Sequence, residues 1–245
     1  MKLTIIIPAR NEKEVIVKTL DSLNGNVKTQ HSILVIDDSN DGTTSVVKEY
    51  MKIHKNVNLI SGDRKRKSFA RALKIGFEKT KTEAAVVVMA DLCDDPTTID
   101  KMCQKFSEGY DIVCGSRYMK GGEKIGGRMI QNFFSFLVCK TIHLFTKIPT
   151  KDVSNAFKMY RMSVLKNVVF NLSSGVEASM EITLQAFFSG AKIKEIPTTW
   201  LGRTLGQTKF RIFDRTPKYA RIIFWSIENA LRKKLGYKLR EFYVS

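Results

Sequence analysis

Short apolar runs alternate with amphipathic segments over the first 116 residues. Runs rich in Val, Ile, Leu and Ala predict strands buried on both faces, at residues 3–8, 32–37, 56–61, 84–90 and 111–115. The segments between them carry apolar residues at helical spacing, as Ile16, Leu20 and Leu23 do in the first of them. This order predicts an α/β fold with a parallel sheet, right-handed crossovers and ligands bound beyond the carboxyl ends of the strands.

The second half of the chain is less regular, but two of its stretches also predict helices. Apolar and aromatic residues recur at helical spacing over residues 130–145 and 219–231, together with Lys and Arg. An amphipathic helix of this kind either packs on the sheet with a solvated back or lies in a membrane interface, and the pattern leaves both open. No apolar run approaches the roughly 18–20 residues that span a bilayer.

The chain is strongly basic. Its 245 residues include 41 Lys and Arg against 24 Asp and Glu, a formal net charge of +17. Residues 199–245 alone hold eleven basic and three acidic side chains. Such a surface suits nucleic acid, anionic lipid or phosphorylated substrates, or is simply solvated. The sequence lacks the aromatic and basic signatures of common nucleic-acid modules, so no nucleic-acid partner is expected.

Several kinds of site are disfavoured by the residues that carry them. The four cysteines, Cys93, Cys103, Cys114 and Cys139, form no CxxC pair and no metal-binding cluster with His, which predicts free, buried thiols. None of the three histidines follows a predicted strand, so a His-based triad is not expected. There is no GxxxxGK[ST] sequence, and no GxGxxG follows the first strand.

Carboxylates follow two of the predicted strands. Asp37 and Asp38 end the second strand and Asp91 follows the fourth, so all three are expected at one edge of the sheet. There they can bind a base or ribose, or ligate Mg²⁺ or Mn²⁺, although a helix-capping role is the alternative for each one. Basic side chains such as Arg203 and Lys209 beside such acids suit a diphosphate substrate, whose charge they offset.

Six motifs follow one another in a characteristic order. They are residues 6–12 (IIPARNE), 37–43 (DDSNDGT), 90–92 (ADL), 115–118 (GSRY), 152–161 (DVSNAFKMYR) and 203–209 (RTLGQTK). Together they resemble inverting family-2 glycosyltransferases with the GT-A fold, in particular the dolichyl-phosphate mannose synthase and polyprenyl-phosphate glucosyltransferase group. The resemblance implies a glycosyltransferase domain over residues 1–212, with a nucleotide-binding half (1–118) and an acceptor half (119–212), followed by a basic amphipathic helix over 213–245.

The resemblance also implies a role for each matched position. Asp91 would ligate the divalent metal ion, and Asp91, Arg117, Arg128 and Lys209 would carry catalysis. The acceptor phosphate would be held by Arg117, Arg128 and Asn132. The nucleotide-sugar pocket would comprise Pro8, Arg10, Glu12, Asp37, Asp38, Ala90, Asp91, Arg117, Arg203 and Lys209. The sequence departs from the usual Asp-x-Asp pattern, because Met89 stands at the first Asp position and Cys93 at a common Gln position. Two alternatives follow: either Asp94 or Asp95 substitutes for the missing carboxylate, or the metal ion rests mainly on Asp91 and the diphosphate.

The function implied is transfer of a sugar from a GDP-mannose or UDP-glucose type donor to a polyprenyl or dolichyl phosphate. The expected reaction inverts the anomeric carbon and uses Mg²⁺ or Mn²⁺. The enzyme is expected in the cytoplasm, associated peripherally with an anionic membrane surface. Two alternatives stay open: a soluble glycan or protein acceptor, and a non-catalytic protein that binds nucleotide or lipid. The sequence names neither the sugar nor the oligomeric state.

Overall fold

A computed structural model describes residues 1–62, 67–203 and 216–242. Its strands are β1 (Leu3–Ala9), β2 (His31–Asp37), β3 (Val57–Ser61), β4 (Ala84–Val87), β5 (Ile112–Ser116), β6 (Glu123–Ile125), β7 (Lys158–Arg161), β8 (Ile193–Pro197) and β9 (Thr199–Leu201). Seven of them form one sheet in the order β3-β2-β1-β4-β7-β5-β8, and β6 pairs with β9 in a separate ribbon. Within the large sheet all pairs are parallel except those that β7 makes with β4 and β5.

Helices cover both faces of the large sheet. They are α1 (Ile16–Asn26), α2 (Thr43–Ile53), α3 (Phe69–Lys79), α4 (Thr98–Ser107), α5 (Met129–Thr146), α6 (Ala178–Phe188) and α7 (Thr216–Lys234), with a 3₁₀ helix at Met162–Asn167. Apolar residues of α1, α2 and α4 form one core layer, and those of α3, α5, α6 and α7 form the other. Successive residues of β1 enter opposite layers, as Ile5 and Ile6 do, which explains why this strand is a continuous apolar run.

The five predicted strands correspond to β1–β5, with one difference that matters for the site. Strand β4 ends at Val87 and not at residue 90, so Met89, Ala90 and Asp91 belong to the loop that follows it. The antiparallel β7 was not predicted. It lies between two strands that the alternating pattern would have made direct neighbours.

The β6–β9 ribbon lies against the loop that follows β4. The backbone N–H of Leu201 donates to the carbonyl of Cys93, and Trp200 forms an isolated bridge with Asp94. The turn into β6 passes so close to β5 that a Cβ on Gly122 would lie 2.2 Å from the carbonyl oxygen of Ser116. The ribbon is therefore fixed between the ends of β4 and β5, at the edge of the sheet where ligands are expected.

Helix α7 packs against α5 and α6. Tyr219 makes an edge-to-face ring contact with Phe134 of α5, and Trp225 makes one with Phe188 of α6. Within the described residues no helix combines the length and the apolar character needed to cross a bilayer. The four cysteines are buried and free, as expected. The division of the chain at residues 118 and 212 stays a prediction.

Candidate active site

A tight turn after β4 presents Asp91 at the carboxyl edge of the sheet. Leu92 has a φ of 61°, in the left-handed region that side-chain-bearing residues seldom adopt. This conformation lets the backbone N–H of Cys93 donate to Asp91 Oδ1 at 3.2 Å. The turn thus fixes the orientation of the Asp91 carboxylate.

Arg203 joins this turn to the loop that follows β1. Its Nη2 donates to Glu12 Oε1 at 2.8 Å and lies 3.6 Å from Asp91 Oδ2. All three side chains are largely buried, with 15%, 10% and 17% of their surface exposed for Arg203, Glu12 and Asp91. The carboxylates raise the pKa of Arg203, although burial opposes this. Three distant parts of the sequence therefore meet at one charged junction.

Asp94 folds back towards position 89. Its Oδ2 accepts a hydrogen bond of 3.2 Å from the backbone N–H of Met89. Burial and the nearby charge of Asp91 raise the pKa of Asp94 to about 7. Asp95, in contrast, accepts from the backbone N–H and hydroxyl of Thr97 and so holds the turn that leads into α4. Of the two expected substitutes, Asp94 is the one directed at the site.

The loops after β1 and β2 are tied to each other by hydrogen bonds. The hydroxyl of Thr43 accepts from the backbone N–H of Glu12, and that of Ser39 accepts from the N–H of Asn11. Asp37 is buried and accepts from the N–H of Ser39 and the hydroxyl of Thr44. Asp37 thus holds its own loop in place as a structural carboxylate.

The remaining residues of this region differ in exposure. Asp38 is also buried, and a Cβ on Gly62 would lie 1.9 Å from its Oδ1. Pro8 and Ala90 are buried as well, whereas Arg10 is exposed. Strand β1 pairs with β4 only as far as Ile6. Pro8 lies beyond that point, so its lack of a backbone N–H removes no hydrogen bond to β4.

Arg117 is bound to a buried carboxylate. Its Nε and Nη2 donate to the two oxygens of Asp152 at 2.6 and 2.7 Å, and its backbone N–H donates to the same side chain. Asp152 is fully buried, and the guanidinium keeps the pKa of its carboxyl below the ordinary value despite burial. Asp152 belongs to the motif at residues 152–161, but the sequence indicates no role for it. The pair shows that much of the hydrogen-bonding capacity of Arg117 serves Asp152.

The other residues expected at the acceptor phosphate lie at the start of α5. Arg128 is the N-cap residue and is exposed. Asn132 donates from Nδ2 to the carbonyl of Gly126 at 2.9 Å and so holds the loop that precedes the helix. Lys209 lies outside the described residues. The structure thus brings Asp91, Glu12 and Arg203 together, while Arg117, Arg128 and Asn132 lie towards α5.

Two aromatic residues and a lysine near Arg117 were not found from the sequence. Lys124 Nζ lies 5.2 Å from the ring centre of Trp200 and 6.0 Å from that of Tyr118. The one available signal was the position of Lys124 between two glycine pairs, at residues 121–122 and 126–127. Glycine pairs allow a close backbone approach but do not identify a partner 76 residues away.

Comparison with known proteins agrees with this geometry. The model of Glycosyl transferase family 2 matches residues 4–169. This chain belongs to that family. It is a glycosyltransferase, and the expected GT-A type of α/β fold is confirmed. The family match spans the loops after β1, β2, β4 and β5, and it ends before Arg203.

The relatives of this family-2 enzyme include proteins named for lipid-linked mannose. A dolichol-phosphate mannosyltransferase of Pyrococcus furiosus is 28% identical in an alignment 240 positions long, which covers 93% of this chain and 65% of that protein. A polyprenol monophosphomannose synthase of Mycolicibacterium smegmatis is 22% identical in an alignment 245 positions long, which covers 95% of this chain and 89% of that protein.

A solved structure shows the same fold. The mannosyltransferase PcManGT from Pyrobaculum calidifontis, in complex with GDP-Man and Mn²⁺, matches with a TM-score of 0.62 at 17% identity. The match covers 99% of this chain and 65% of that one.

The residues of the β4 turn were tested for their fit to a divalent ion. Among the described residues, no group of three or more His, Cys, Asp or Glu side chains could hold a metal ion alone. Mg²⁺ at phosphate-transfer sites commonly uses only one or two protein carboxylates, with substrate phosphates and water completing the shell. Asp91 and Asp94, close enough for one to raise the pKa of the other, meet that smaller requirement.

Proposed function

We propose that this glycosyltransferase moves a sugar from a nucleotide sugar to a polyprenyl phosphate, with inversion at the anomeric carbon and with Mg²⁺ or Mn²⁺. The observation that carries the proposal is the junction of Asp91, Glu12 and Arg203 at the carboxyl edge of the sheet. A carboxylate for a metal ion and a guanidinium for a phosphate then lie within 4 Å of each other. The two relatives named for lipid-linked mannose support the choice of acceptor.

On this proposal the donor occupies the crevice between the β1, β2 and β4 loops. Asp38, held under Gly62, contacts the base or ribose, and Pro8, Arg10 and Glu12 line the pocket. Ala90, Asp91 and Arg203 face the diphosphate, with Lys209 supplying further positive charge as the resemblance implies. Asp37 supports the pocket through its own loop.

On this proposal the metal ion is held by the diphosphate as well as by the protein. Asp91 and Asp94 are the residues that would hold Mg²⁺ or Mn²⁺, which supplies positive charge to the departing diphosphate when it is bound. Both ions favour carboxylate oxygens. The absence of a carboxylate at position 89 is offset by Asp94, whose side chain reaches the backbone of that same position.

The reaction needs alignment and charge stabilisation more than a strong base. An oxygen of the acceptor phosphate attacks the anomeric carbon opposite the diphosphate. The bond to the diphosphate oxygen breaks, and that oxygen leaves with the electron pair. Because a phosphate monoester is ionised at neutral pH, no general base has to remove a proton. Arg203 and Lys209 stabilise the leaving group, and Arg117 and Arg128 attract the acceptor phosphate.

Helix α5 is the proposed contact with the membrane that supplies this acceptor. Its inner residues Val138, Cys139 and Ile142 pack in the core. Its outer face exposes seven large apolar residues: Met129, Ile130, Phe133, Phe136, Leu137, Leu144 and Phe145. Exposed Arg128, Lys140 and Lys147 accompany them, a combination suited to an interface with anionic lipid. Phe224 and Leu231 of α7 are exposed apolar residues as well.

A transfer assay tests the proposal. Purified protein is incubated with a short polyprenyl phosphate, Mn²⁺ and each common radiolabelled nucleotide sugar, and the label is extracted into organic solvent. We expect label in the organic phase with one donor, and its loss in Asp91→Ala. Label only in water-soluble glycan or protein would instead favour a soluble acceptor. Failure of any nucleotide sugar to bind, measured by calorimetry, would favour a non-catalytic protein.

A further inference from the structure

Lys124 lies between a residue bridged to the β4 turn, Trp200, and a residue bonded to helix α5, Tyr118. It is the central residue of β6 and is paired in register with Trp200 of β9, so both side chains lie on the same face of the ribbon. Trp200 is bridged to Asp94 beside the β4 turn. The proposed metal-binding turn is therefore on one side of Lys124.

Helix α5 is on its other side. The Lys124 amine lies 5.2 Å from the ring centre of Trp200 and 6.0 Å from that of Tyr118. Tyr118 donates from its hydroxyl to Ser135 Oγ of α5 at 3.1 Å. Two aromatic rings, one bridged to the β4 turn and the other bonded to α5, thus lie beside the Lys124 amine.

The charge of Lys124 is held near a second positive charge. Within the described part of the chain, no carboxylate lies within 4 Å of the Lys124 amine. The positive charge of Arg117 is close enough to disfavour the protonated form of this amine. Partial burial and then Arg117 lower the pKa of Lys124 to about 8, against the weaker opposing influences of Asp152 and Cys139. Asp152 itself is bound by Arg117. The Lys124 amine and the Arg117 guanidinium place two positive charges near each other, and the Asp152 carboxylate is already bound by Arg117. This arrangement favours an anionic ligand.

We propose that Lys124 binds the phosphate of the lipid acceptor. The inference rests on the proposed function. It assigns Lys124 to the acceptor and not to the donor, because Arg203 and Glu12 mark the donor side beyond the Asp91 turn, whereas Tyr118, beside Lys124, is bonded to α5, which carries the exposed apolar residues.

Binding measurements with a soluble probe test this role directly. Calorimetry compares farnesyl phosphate with farnesol, and GDP with UDP, for the wild type, Lys124→Met, Lys124→Gln and Lys124→Arg. We expect the two neutral variants to lose about tenfold or more in affinity for farnesyl phosphate, Lys124→Arg to retain most of it, and nucleotide affinity to change less than twofold. Lys194→Met is the matched control, because its amine stacks on Tyr110 at 5.7 Å outside the site.

The pH dependence separates charge from packing. Wild-type affinity for farnesyl phosphate should fall as the pH rises through about 8, where the Lys124 amine loses its proton, and the fall should be absent in Lys124→Arg. Unchanged farnesyl phosphate binding in both neutral variants, or a loss confined to GDP or UDP, would overturn the role of Lys124 alone. A wild type that binds farnesyl phosphate no better than farnesol would contradict the proposed acceptor itself.

Discussion

Asp94 is the residue that we propose makes up for the absence of a carboxylate at position 89. Its side chain accepts from the backbone N–H of Met89, because the left-handed conformation of Leu92 turns the chain back on itself. Asp95, the next carboxylate, is bound to Thr97 and Thr98 and faces α4. Two neighbouring acids therefore have different functions, which the sequence alone did not separate.

Exchanging each acid for its amide distinguishes the two functions. Asp94→Asn should weaken Mn²⁺-dependent binding of the preferred nucleoside diphosphate by about tenfold or more, because one of two carboxylates is removed. Asp95→Asn should leave that binding unchanged and lower stability by about 1 kcal/mol, because the hydrogen bonds from Thr97 and Thr98 are weakened. Calorimetry with and without Mn²⁺, and thermal unfolding, measure both. Equal Mn²⁺ affinities in the two variants would contradict the role of Asp94.

Gly62 is a second residue at which the structural effect of a substitution can be stated. A methyl group at this position would overlap Asp38 Oδ1, at 1.9 Å, so Gly62→Ala must displace a carboxylate of the proposed base or ribose pocket. We expect weaker nucleotide binding in a calorimetric titration. Gly25→Ala is the control, since a Cβ there meets nothing within 4 Å and alanine stabilises the helix by about 1 kcal/mol. Undiminished nucleotide affinity in Gly62→Ala would show that Asp38 lies outside the pocket.

At the scale of elements, the sequence identifies the helices and strands whose apolar residues follow a clear pattern. It does not identify the elements that lack such a pattern. Strands β1–β5 are apolar runs, and α1–α4 carry apolar stripes, so both were predicted. Helix α6 is buried almost all round, including Ser179, Glu181 and Gln185, and its mixed composition gives no stripe. Strand β7 contains Lys158, whose fully buried amine donates to the carbonyls of Val153 and Asn155. A lysine in the middle of a sheet looks like a loop residue in the sequence.

Glu181 of α6 gives the stability of the protein a pH dependence. Burial, with a smaller effect of Glu177, raises its pKa to about 7 against the hydrogen bond from Ser174 and the weaker attraction of Lys218 and Arg221. The native state therefore holds this proton between about pH 4.5 and 7 where the unfolded state has lost it, and stability falls as the pH rises through that window. The size is on the order of 3 kcal/mol at most.

Glu181→Gln should remove that dependence. The amide keeps an oxygen that accepts from Ser174, as Glu181 Oε1 does at 2.8 Å, but carries no charge to bury. Its midpoint of thermal unfolding should match the wild type near pH 5 and exceed it at pH 8. Glu49→Gln, at an exposed pair with Lys52, should show no such divergence. Parallel curves for Glu181→Gln and the wild type would mean that Glu181 is ionised in the native state.

At the scale of the whole molecule, the sequence indicates which edge of the sheet is functional but not how the second half completes it. Asp37, Asp38 and Asp91 follow from the strand order. The partners of Arg117 and Lys124 lie 35 and 76 residues away, at Asp152 and Trp200. Both contacts depend on the inserted β7 and on the β6–β9 ribbon. These strands have only three or four residues each, which is too short to show a periodic pattern of apolar residues. Contacts of this kind arise from packing and not from periodicity.

The distribution of exposed apolar residues over the molecule predicts which face contacts the membrane on the proposed function. Ile130 of α5 and Ile53 of α2 are similarly exposed, at 73% and 79%, but only Ile130 belongs to the apolar and basic face beside the proposed acceptor site. Ile130→Asp should reduce flotation with phosphatidylglycerol vesicles several-fold, because a charge replaces an inserted side chain, whereas Ile53→Asp should float like the wild type. Raised salt should weaken the wild-type interaction through screening of Arg128, Lys140 and Lys147. Equal flotation of the two variants would place the membrane contact on another face, and nucleotide binding, measured in both, should not change.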